Sequence, residues 1–149
     1  MGSGIWNENK KLLEIKIAEF NYKLLNNILP TGCNLYRWKR RESTSCIYCN
    51  EEFHDSRHLI FECVHVNNLW EKISDVLAIN ITWFTLALGL NENKNYNIVL
   101  SLLCYLIYKK YLLDKQSENP VMQVKLFMKK EIQQRLNVYN SKICCLAIK

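Results

Sequence analysis

Residues 46–63 read CIYCNEEFHDSRHLIFEC. The two cysteines at the start of this stretch are separated by two residues, a spacing that lets one tight turn present both thiolates to a single ion. A tetrahedral zinc ion needs two further sulfur or nitrogen ligands, and one histidine and a third cysteine follow in order. Four protein ligands make a closed, structural site, because a catalytic zinc ion keeps one position for water. The sequence therefore predicts a structural zinc ion bound by Cys46, Cys49, His58 and Cys63.

The third ligand is the ambiguous one, because His54 and His65 lie close to His58 in the sequence. His58 is preferred, since it opens a short helical segment predicted over 56–63 and the apolar residues after it would anchor its backbone in the core. His54 adjoins Asp55, so we predict that it is solvated or that it supports a ligand from behind. The alternative to the whole site is a set of buried or redox-active thiols.

The remaining cysteines give no second metal site. Cys104 lies in the most apolar segment of the chain and is predicted to be a core residue. Cys144 and Cys145 are adjacent, and neighbouring cysteines rarely reach one ion together. No role is assigned to Cys33.

Apolar residues at helical spacing on both sides of residues 42–63 predict a mostly α-helical fold. The first helix would bury one face and end before Pro30 and Gly32; that face comprises Leu13, Ile17, Phe20, Leu24 and Ile28. The third predicted helix is apolar almost all round and should be buried, and the fourth opens with Asn119 as N-cap and Pro120. The predicted helices cover residues 10–29, 66–77, 96–115 and 120–139.

The expected architecture is one helical domain with an irregular insert that the metal holds together. Residues 79–90 begin with β-branched residues and are predicted as a short strand or a buried turn. One short pair of strands therefore remains an alternative for the fold. We divide the chain into a flexible N-terminal segment (1–9), a helical domain (10–139) with a zinc-binding subdomain (42–65), and a C-terminal tail (140–149).

Charge is distributed unevenly along the 149 residues. Residues 1–92 hold ten basic and eleven acidic side chains, a net of −1, whereas residues 93–149 hold ten basic and three acidic ones, a net of +7. The total of +6 favours an anionic partner. The longest apolar stretch, residues 98–108, is too short to span a bilayer, so no membrane partner is expected. The cysteine usage favours a reducing compartment inside the cell, the nucleus and cytoplasm.

Patterns typical of catalysis are missing from the sequence. Polymerases and two-metal nucleases need clustered carboxylates, whereas the three aspartates, Asp55, Asp75 and Asp114, are far apart in the chain. Four glycines form no phosphate-binding loop, and no serine lies in a nucleophile-elbow motif. We therefore predict that this chain is not an enzyme by itself and has no small-molecule substrate.

Two basic segments are candidates for nucleic-acid binding. The first places four cations in five residues around a tryptophan: Arg37, Trp38, Lys39, Arg40 and Arg41, with Tyr36 and Tyr48 near them. Cations on phosphates with an aromatic ring free to stack suit single-stranded or structured RNA. The alternative is that Leu35 and Trp38 belong to the core and that the cations form a solvated face. The second segment is one face of the last predicted helix, with Lys125, Lys129 and Lys130, and its alternative is an ordinary charged outer face.

The ordered set of motifs resembles a known family. It consists of FNYKLLNNILP (20–30), LYRWK (35–39), the Cys-x-x-Cys pair, HLIFEC (58–63) and Trp70. This set is similar to the zinc-binding region at the C-terminus of reverse transcriptases from non-LTR (LINE-type) retrotransposons. YLIYKKY (105–111) and FMKKE (127–131) also look like the tail of those polyproteins. One departure is Phe53-His54-Asp55, where the family more usually carries Glu-Thr-Ile.

The resemblance implies a module that handles element RNA or target DNA during target-primed reverse transcription. Its partners would be RNA or DNA and the reverse-transcriptase body of the same polyprotein. The rival function is a structural or protein-interaction module, in which zinc holds the helices so that they support the polymerase body and nucleic acid is contacted elsewhere.

Overall fold

The computed structural model describes residues 3–89, 92 and 94–117, and about 66% of these residues are helical with no strand among them. A mostly α-helical fold with an irregular metal-binding insert is therefore confirmed. In chain order the elements are α1 (Ser3–Leu25), α2 (Gly32–Arg37), a π-helical turn (His58–Glu62), α3 (Val64–Leu77), α4 (Trp83–Leu88) and α5 (Lys94–Asp114).

Helix α1 begins and ends earlier than the apolar spacing predicts. Its backbone is helical from Ser3, so residues 3–9, assigned above to a flexible segment, are helical here. At the other end Asn27 adopts a left-handed conformation with φ of 53°, and the Ile28 amide donates to the Lys23 carbonyl. This is the bonding of a Schellman motif, which ends a helix without proline or glycine.

The early end of α1 changes which residues are buried. Ile17, Phe20 and Leu24 face the core as predicted. Ile28, placed on the same face above, is 40% exposed, whereas its neighbour Leu29 is fully buried. The chain has left the helix before Ile28, so the spacing of four residues no longer applies there.

Helix α3 confirms the second predicted helix, and α4 replaces the predicted strand or turn. Thr82 caps α4 by accepting a hydrogen bond from the Thr85 amide, and Gly89 ends it with φ of 63°. Because α4 is a helix, the short strand pair left open for residues 79–90 is not formed in the described residues. The β-branched residues that suggested a strand lie in the connection to α4 and its cap.

Helix α5 forms the centre of the core. Phe20 of α1 stacks on Tyr108 with ring centroids 5.2 Å apart and meets Tyr105 edge-on at 6.0 Å. Cys104 is 1% exposed, so its prediction as a core residue is confirmed. The buried residues of α5 are Val99, Leu100, Leu102, Leu103, Cys104, Leu106, Ile107, Tyr108, Tyr111 and Asp114.

Several predictions fall outside the described residues. They are the helix over 120–139 with its lysines Lys125, Lys129 and Lys130, the tail 140–149, and Cys144 and Cys145. Within the described ranges, none of the helices combines the length and the apolar character that a membrane span requires.

Helix α2 approaches the metal-binding insert so closely that only glycine fits at its first position. The Gly32 amide donates to His54 Nδ1 at 2.9 Å. A Cβ atom at Gly32 would lie 2.5 Å from the Thr44 carbonyl oxygen and 3.1 Å from the His54 Cβ. Because the Thr44 carbonyl is part of the backbone, it cannot move aside as a side chain can. A methyl group at position 32 would therefore push α2 away from the insert.

We expect Gly32→Ala to lower the free energy of unfolding by about 1–3 kcal/mol, the usual cost of overpacking a close contact. Chemical denaturation of the purified chain measures this. Gly89→Asn is the control, because asparagine tolerates a left-handed conformation and a Cβ there meets only the Asn97 side chain at 3.8 Å. Equal stability of wild type and Gly32→Ala would refute the close approach.

Candidate metal centre

The first two ligands lie on a tight turn that the backbone closes. The Cys46 amide donates to the Glu51 carbonyl at 2.9 Å, and the Asn50 amide donates back to the Cys46 carbonyl at 3.1 Å. Asn50 takes a left-handed conformation with φ of 63°, which turns the chain after Cys49. The Tyr48 amide donates to Cys46 Sγ at 3.4 Å, a bond that favours the thiolate.

The other two ligands lie at the ends of the π-helical turn. Asp55 caps the segment by accepting a hydrogen bond from the His58 amide at 2.8 Å. Residues five apart on an α-helix point about 140° away from each other, since each residue advances about 100°. Here the Cys63 amide donates to the His58 carbonyl at 2.9 Å, the i+5 bond of a π-helix, and this wider turn brings both side chains to one side.

A buried tryptophan holds the π-helical turn against α3. Trp70 is 2% exposed, and its Nε1 donates to the Ile60 carbonyl at 2.6 Å. Cys63 directly precedes α3, and its carbonyl accepts from the Val66 and Asn67 amides. The positive end of a helix lies beside this residue, which favours a negative charge there.

The four predicted ligands come together in one cluster. One ligand atom from each of Cys46, Cys49, His58 and Cys63 lies within 4.8 Å of the other three. His58 Nε2 lies 3.2 Å from Cys49 Sγ. Around a tetrahedral zinc ion, with bonds of about 2.3 Å to sulfur and 2.0–2.1 Å to nitrogen, ligand atoms are about 3.5–3.8 Å apart. Three sulfurs and one imidazole nitrogen at these separations fit zinc.

Three of the four ligands are almost completely buried. Cys46 and Cys63 are 1% exposed and His58 is 7% exposed, while Cys49 is half-buried. Such burial suits a closed structural site, which needs no access for a substrate.

The thiols differ in acidity because of their neighbours. Hydrogen bonding with Cys63 lowers the pKa of Cys46 well below its ordinary value, against the opposing effect of burial. The pKa of Cys63 is raised in return, by the same hydrogen bond and by burial, and burial raises the pKa of Cys49. The cluster thus stabilises one thiolate by itself, and zinc binding must displace the protons of the other two thiols.

The sequence predicts that His54 is either solvated or supports a ligand from behind, and the first of these predictions is wrong. It is fully buried, and its Nδ1 accepts the hydrogen bond from Gly32, so the ring proton is on Nε2. Burial lowers the pKa of His54 to about 4 and keeps the ring neutral. Its ring packs edge-on against His58 with centroids 5.7 Å apart, so it supports the ligand from behind. Nε2 has no hydrogen-bond partner among the described residues.

Helix α5 supports this centre, a role that was not predicted from the sequence. Tyr48, grouped above with aromatic rings near the cations, is half-buried, and its hydroxyl donates to Asp114 Oδ2 at 2.8 Å. Tyr111 is fully buried with its ring centroid 5.1 Å from that of His54. The sequence did contain one sign of this role. Asp114 lies at the end of an apolar helix, four residues after Lys110, where the two charged side chains can pair.

The first basic segment lies at the C-terminal end of α2 and not in the core. Trp38 is 41% exposed and Tyr36 is 53% exposed, so the core alternative for Trp38 is wrong. Arg37, Lys39 and Arg40 are exposed, whereas Arg41 is half-buried.

A family model described as zinc-binding in reverse transcriptase matches residues 2–70. The matched stretch contains α1, α2 and all four clustered ligands, and it ends within α3 at Trp70. No curated protein and no solved structure matches the chain.

Residues 2–70 are therefore similar to a zinc-binding family of reverse transcriptases, and they contain four ligands clustered so that they can hold a metal ion. The prediction of zinc as the cofactor is thereby confirmed. The matched family is a zinc-binding accessory domain rather than the catalytic one.

The assignment of His58, and not His54, as the histidine ligand can be tested by replacing each of the two with asparagine. We expect His58→Asn to abolish stoichiometric zinc binding, because an amide is a poor zinc ligand. His54→Asn should retain one zinc ion per chain, since the asparagine oxygen can still accept from the Gly32 amide. Elemental analysis of the purified variants measures this. Zinc loss in His54→Asn with retention in His58→Asn would reverse the assignment.

The cysteine ligands are tested in the same way. Cys63→Ser should lose zinc like His58→Asn and should also lose far-UV dichroism. Cys33→Ser, which lies outside the cluster, should keep both its zinc and its far-UV dichroism.

Zinc affinity should depend steeply on pH. The thiols of Cys49 and Cys63 have raised pKa values and are protonated at neutral pH without metal, so zinc binding releases at least two protons. The hydrogen bond with Cys46 raises the pKa of His58 as well, which adds to the proton release at the lower end of the range. Raising the pH by one unit near neutrality should therefore strengthen binding at least about a hundredfold. Competition with a chromophoric chelator from pH 6.5 to pH 8 measures the slope. A pH-independent affinity over this range would contradict thiolate ligation.

Proposed function

We propose that this chain is a nucleic-acid-binding zinc module of a non-LTR (LINE-type) reverse transcriptase, and that it contacts element RNA or target DNA during target-primed reverse transcription. The observation that carries the proposal is the exposed run of cations and aromatic rings at the end of α2, beside the zinc-binding insert. We call residues 36–41 the α2 patch. Such a role requires the nucleus and the cytoplasm, where the element's RNA and its target DNA are found.

The backbone of the α2 patch reverses direction and spreads its cations over a tight turn. Lys39 adopts a left-handed conformation with φ of 57°, and the Arg40 amide donates to the Leu35 carbonyl at 2.8 Å. The four cations are therefore attached to one short stretch of backbone that changes direction at Lys39. A phosphate backbone that passes this turn can contact several of them at once.

Within the described ranges, no acidic side chain pairs with the cations of the α2 patch. Among the residues that the structure describes, Arg37, Lys39, Arg40 and Arg41 take part in no ion pair. Arg57, on the insert, differs in this respect because it binds Glu62 at 2.7 Å. Like charges on one turn repel each other, and an anionic ligand would relieve that repulsion.

Exposed aromatic rings in the same patch favour the binding of single-stranded nucleic acid over duplex. Trp38 is the C-terminal cap of α2, and with Tyr36 it leaves a large aromatic surface open to solvent. Unpaired bases stack on such rings, whereas the bases of a duplex are already stacked on each other. Single-stranded RNA is therefore the first ligand to test.

Charge reversal in the α2 patch should remove binding without loss of zinc. We expect Arg37→Glu/Arg40→Glu to weaken binding of single-stranded RNA and to reduce the slope of log K against log salt by about 1.4, at ~0.7 per phosphate contact. Trp38→Ala should cost about 1–3 kcal/mol of stacking energy. Fluorescence anisotropy with a labelled oligonucleotide across a salt series measures both. Arg41 is left intact, since its charge acts on buried His54 and Tyr111.

The matched control is Lys16→Glu/Lys72→Glu, which makes the same change in net charge on exposed positions of α1 and α3. It should leave the salt slope unchanged. If the two double variants lost RNA affinity equally, only the net charge of the chain would matter for binding. The α2 patch would then not be the binding site. The lysines Lys125, Lys129 and Lys130 stay a prediction for a second contact.

A second candidate function is support of the polymerase body through protein contacts. Helix α1 carries a second apolar face, opposite its buried one, formed by Leu12, Ile15, Tyr22 and Leu25, each between 51% and 63% exposed. A helix that is apolar on two sides is normally buried on both. The reverse-transcriptase body of the same polyprotein is the partner that the family match suggests. Zinc-loaded chain that binds no RNA at low salt would favour this function.

A further inference from the structure

Helix α5 is tied to the zinc-binding turn by a buried chain of polar groups. Tyr48 lies between the ligands Cys46 and Cys49, and its hydroxyl donates to Asp114 Oδ2 at 2.8 Å. The other oxygen of Asp114 accepts from Lys110 Nζ at 2.6 Å. The side chains of Lys110 and Asp114 are only 17% and 12% exposed.

A second contact from α5 reaches the other side of the centre. The Tyr111 hydroxyl donates to the Pro30 carbonyl at 2.9 Å, and its ring lies edge-on to that of Tyr48 with centroids 6.4 Å apart. The same ring packs against His54, which in turn packs against the ligand His58. One turn of α5 therefore contacts Tyr48 in the first ligand-bearing turn and, through His54, reaches the ligand His58.

We propose that Tyr48 and Asp114 are positioning residues that couple zinc binding to the C-terminal turns of α5, so that zinc fixes this part of the helix and the helix in turn strengthens zinc binding. The α5 residues lie beyond the stretch 2–70 that the family model matches. The functional zinc unit of this chain accordingly extends to residue 114.

The energetics of the buried pair favour this coupling. The Asp114 carboxylate is largely buried and accepts hydrogen bonds from Tyr48 and Lys110. The Tyr48 hydroxyl is the donor in its bond with the carboxylate, at 2.8 Å from Asp114 Oδ2. If the turn at residues 46–49 moves when zinc leaves, this hydrogen bond breaks and Asp114 loses a partner. Binding free energies of two linked events are reciprocal, so loss of the bond must also weaken zinc binding.

The test uses the full chain and two readouts. Competition with a chromophoric chelator should give about tenfold weaker zinc binding for Tyr48→Phe and for Asp114→Ala, as is usual when a group supporting a metal ligand is removed. The double variant should lose no more than the weaker-binding single variant, because each single change already removes the bond between these two side chains. The controls are Tyr22→Phe and Asp75→Ala, which change exposed residues of the same types and should not alter the affinity.

Hydrogen exchange at saturating zinc provides the second readout and separates coupling from general unfolding. In Tyr48→Phe we expect faster exchange of the amides of residues 111–117, including Lys115 and Ser117, which donate to Tyr111 and Asp114. The amides of residues 99–104 should keep their protection. Unchanged zinc affinity, additive losses in the double variant, or uniform exchange along α5 would each overturn the proposal.

Discussion

The convergence of three sulfur atoms and one imidazole nitrogen on a common point is the constraint on which the insert depends. Residues 38–55 contain no helix or strand, so the hydrogen bonds of regular elements do not hold them. The ligand cluster joins the turn at Cys46 and Cys49 directly to the segment at His58 and Cys63. Because such ligands are brought together only in the folded chain, the free energy of zinc binding becomes free energy of folding. The position of α2, and with it the α2 patch, follows from this insert through the contact between Gly32 and Thr44.

Much of the fold could be predicted from local patterns. The ligand spacing identified all four residues of the cluster. Helical periodicity identified α1 and α3 because each buries a regular apolar face, and α5 was predicted as a buried helix because it is apolar almost all round. Local rules failed where hydrogen bonds at helix ends decided the outcome. The left-handed Asn27 ended α1 before Pro30 could, and the cap at Thr82 turned a strand-like sequence into α4.

The parts of the site that sequence could not reveal depend on contacts between distant residues. Tyr48 and Asp114 are separated by 66 positions, and Tyr111 and Pro30 by 81, so no spacing rule connects them. His54 shows the same limit: a histidine beside an aspartate suggests exposure, yet its ring is buried between α5 and His58. Exposure of Trp38 likewise follows from the tertiary fold, since its sequence neighbours allow either a core or a surface position.

Together these features describe a module whose metal organises a surface instead of performing chemistry. Zinc holds the insert and the insert holds α2. Helix α2 presents to solvent open aromatic rings and cations that pair with no acidic group in the part of the chain that the structure describes. X-ray absorption spectroscopy of the zinc-loaded chain tests the central element of this account most directly. The account predicts three sulfur neighbours at about 2.3 Å and one nitrogen neighbour at about 2.0–2.1 Å around each zinc ion. A shell dominated by oxygen or nitrogen, or one without sulfur, would contradict it.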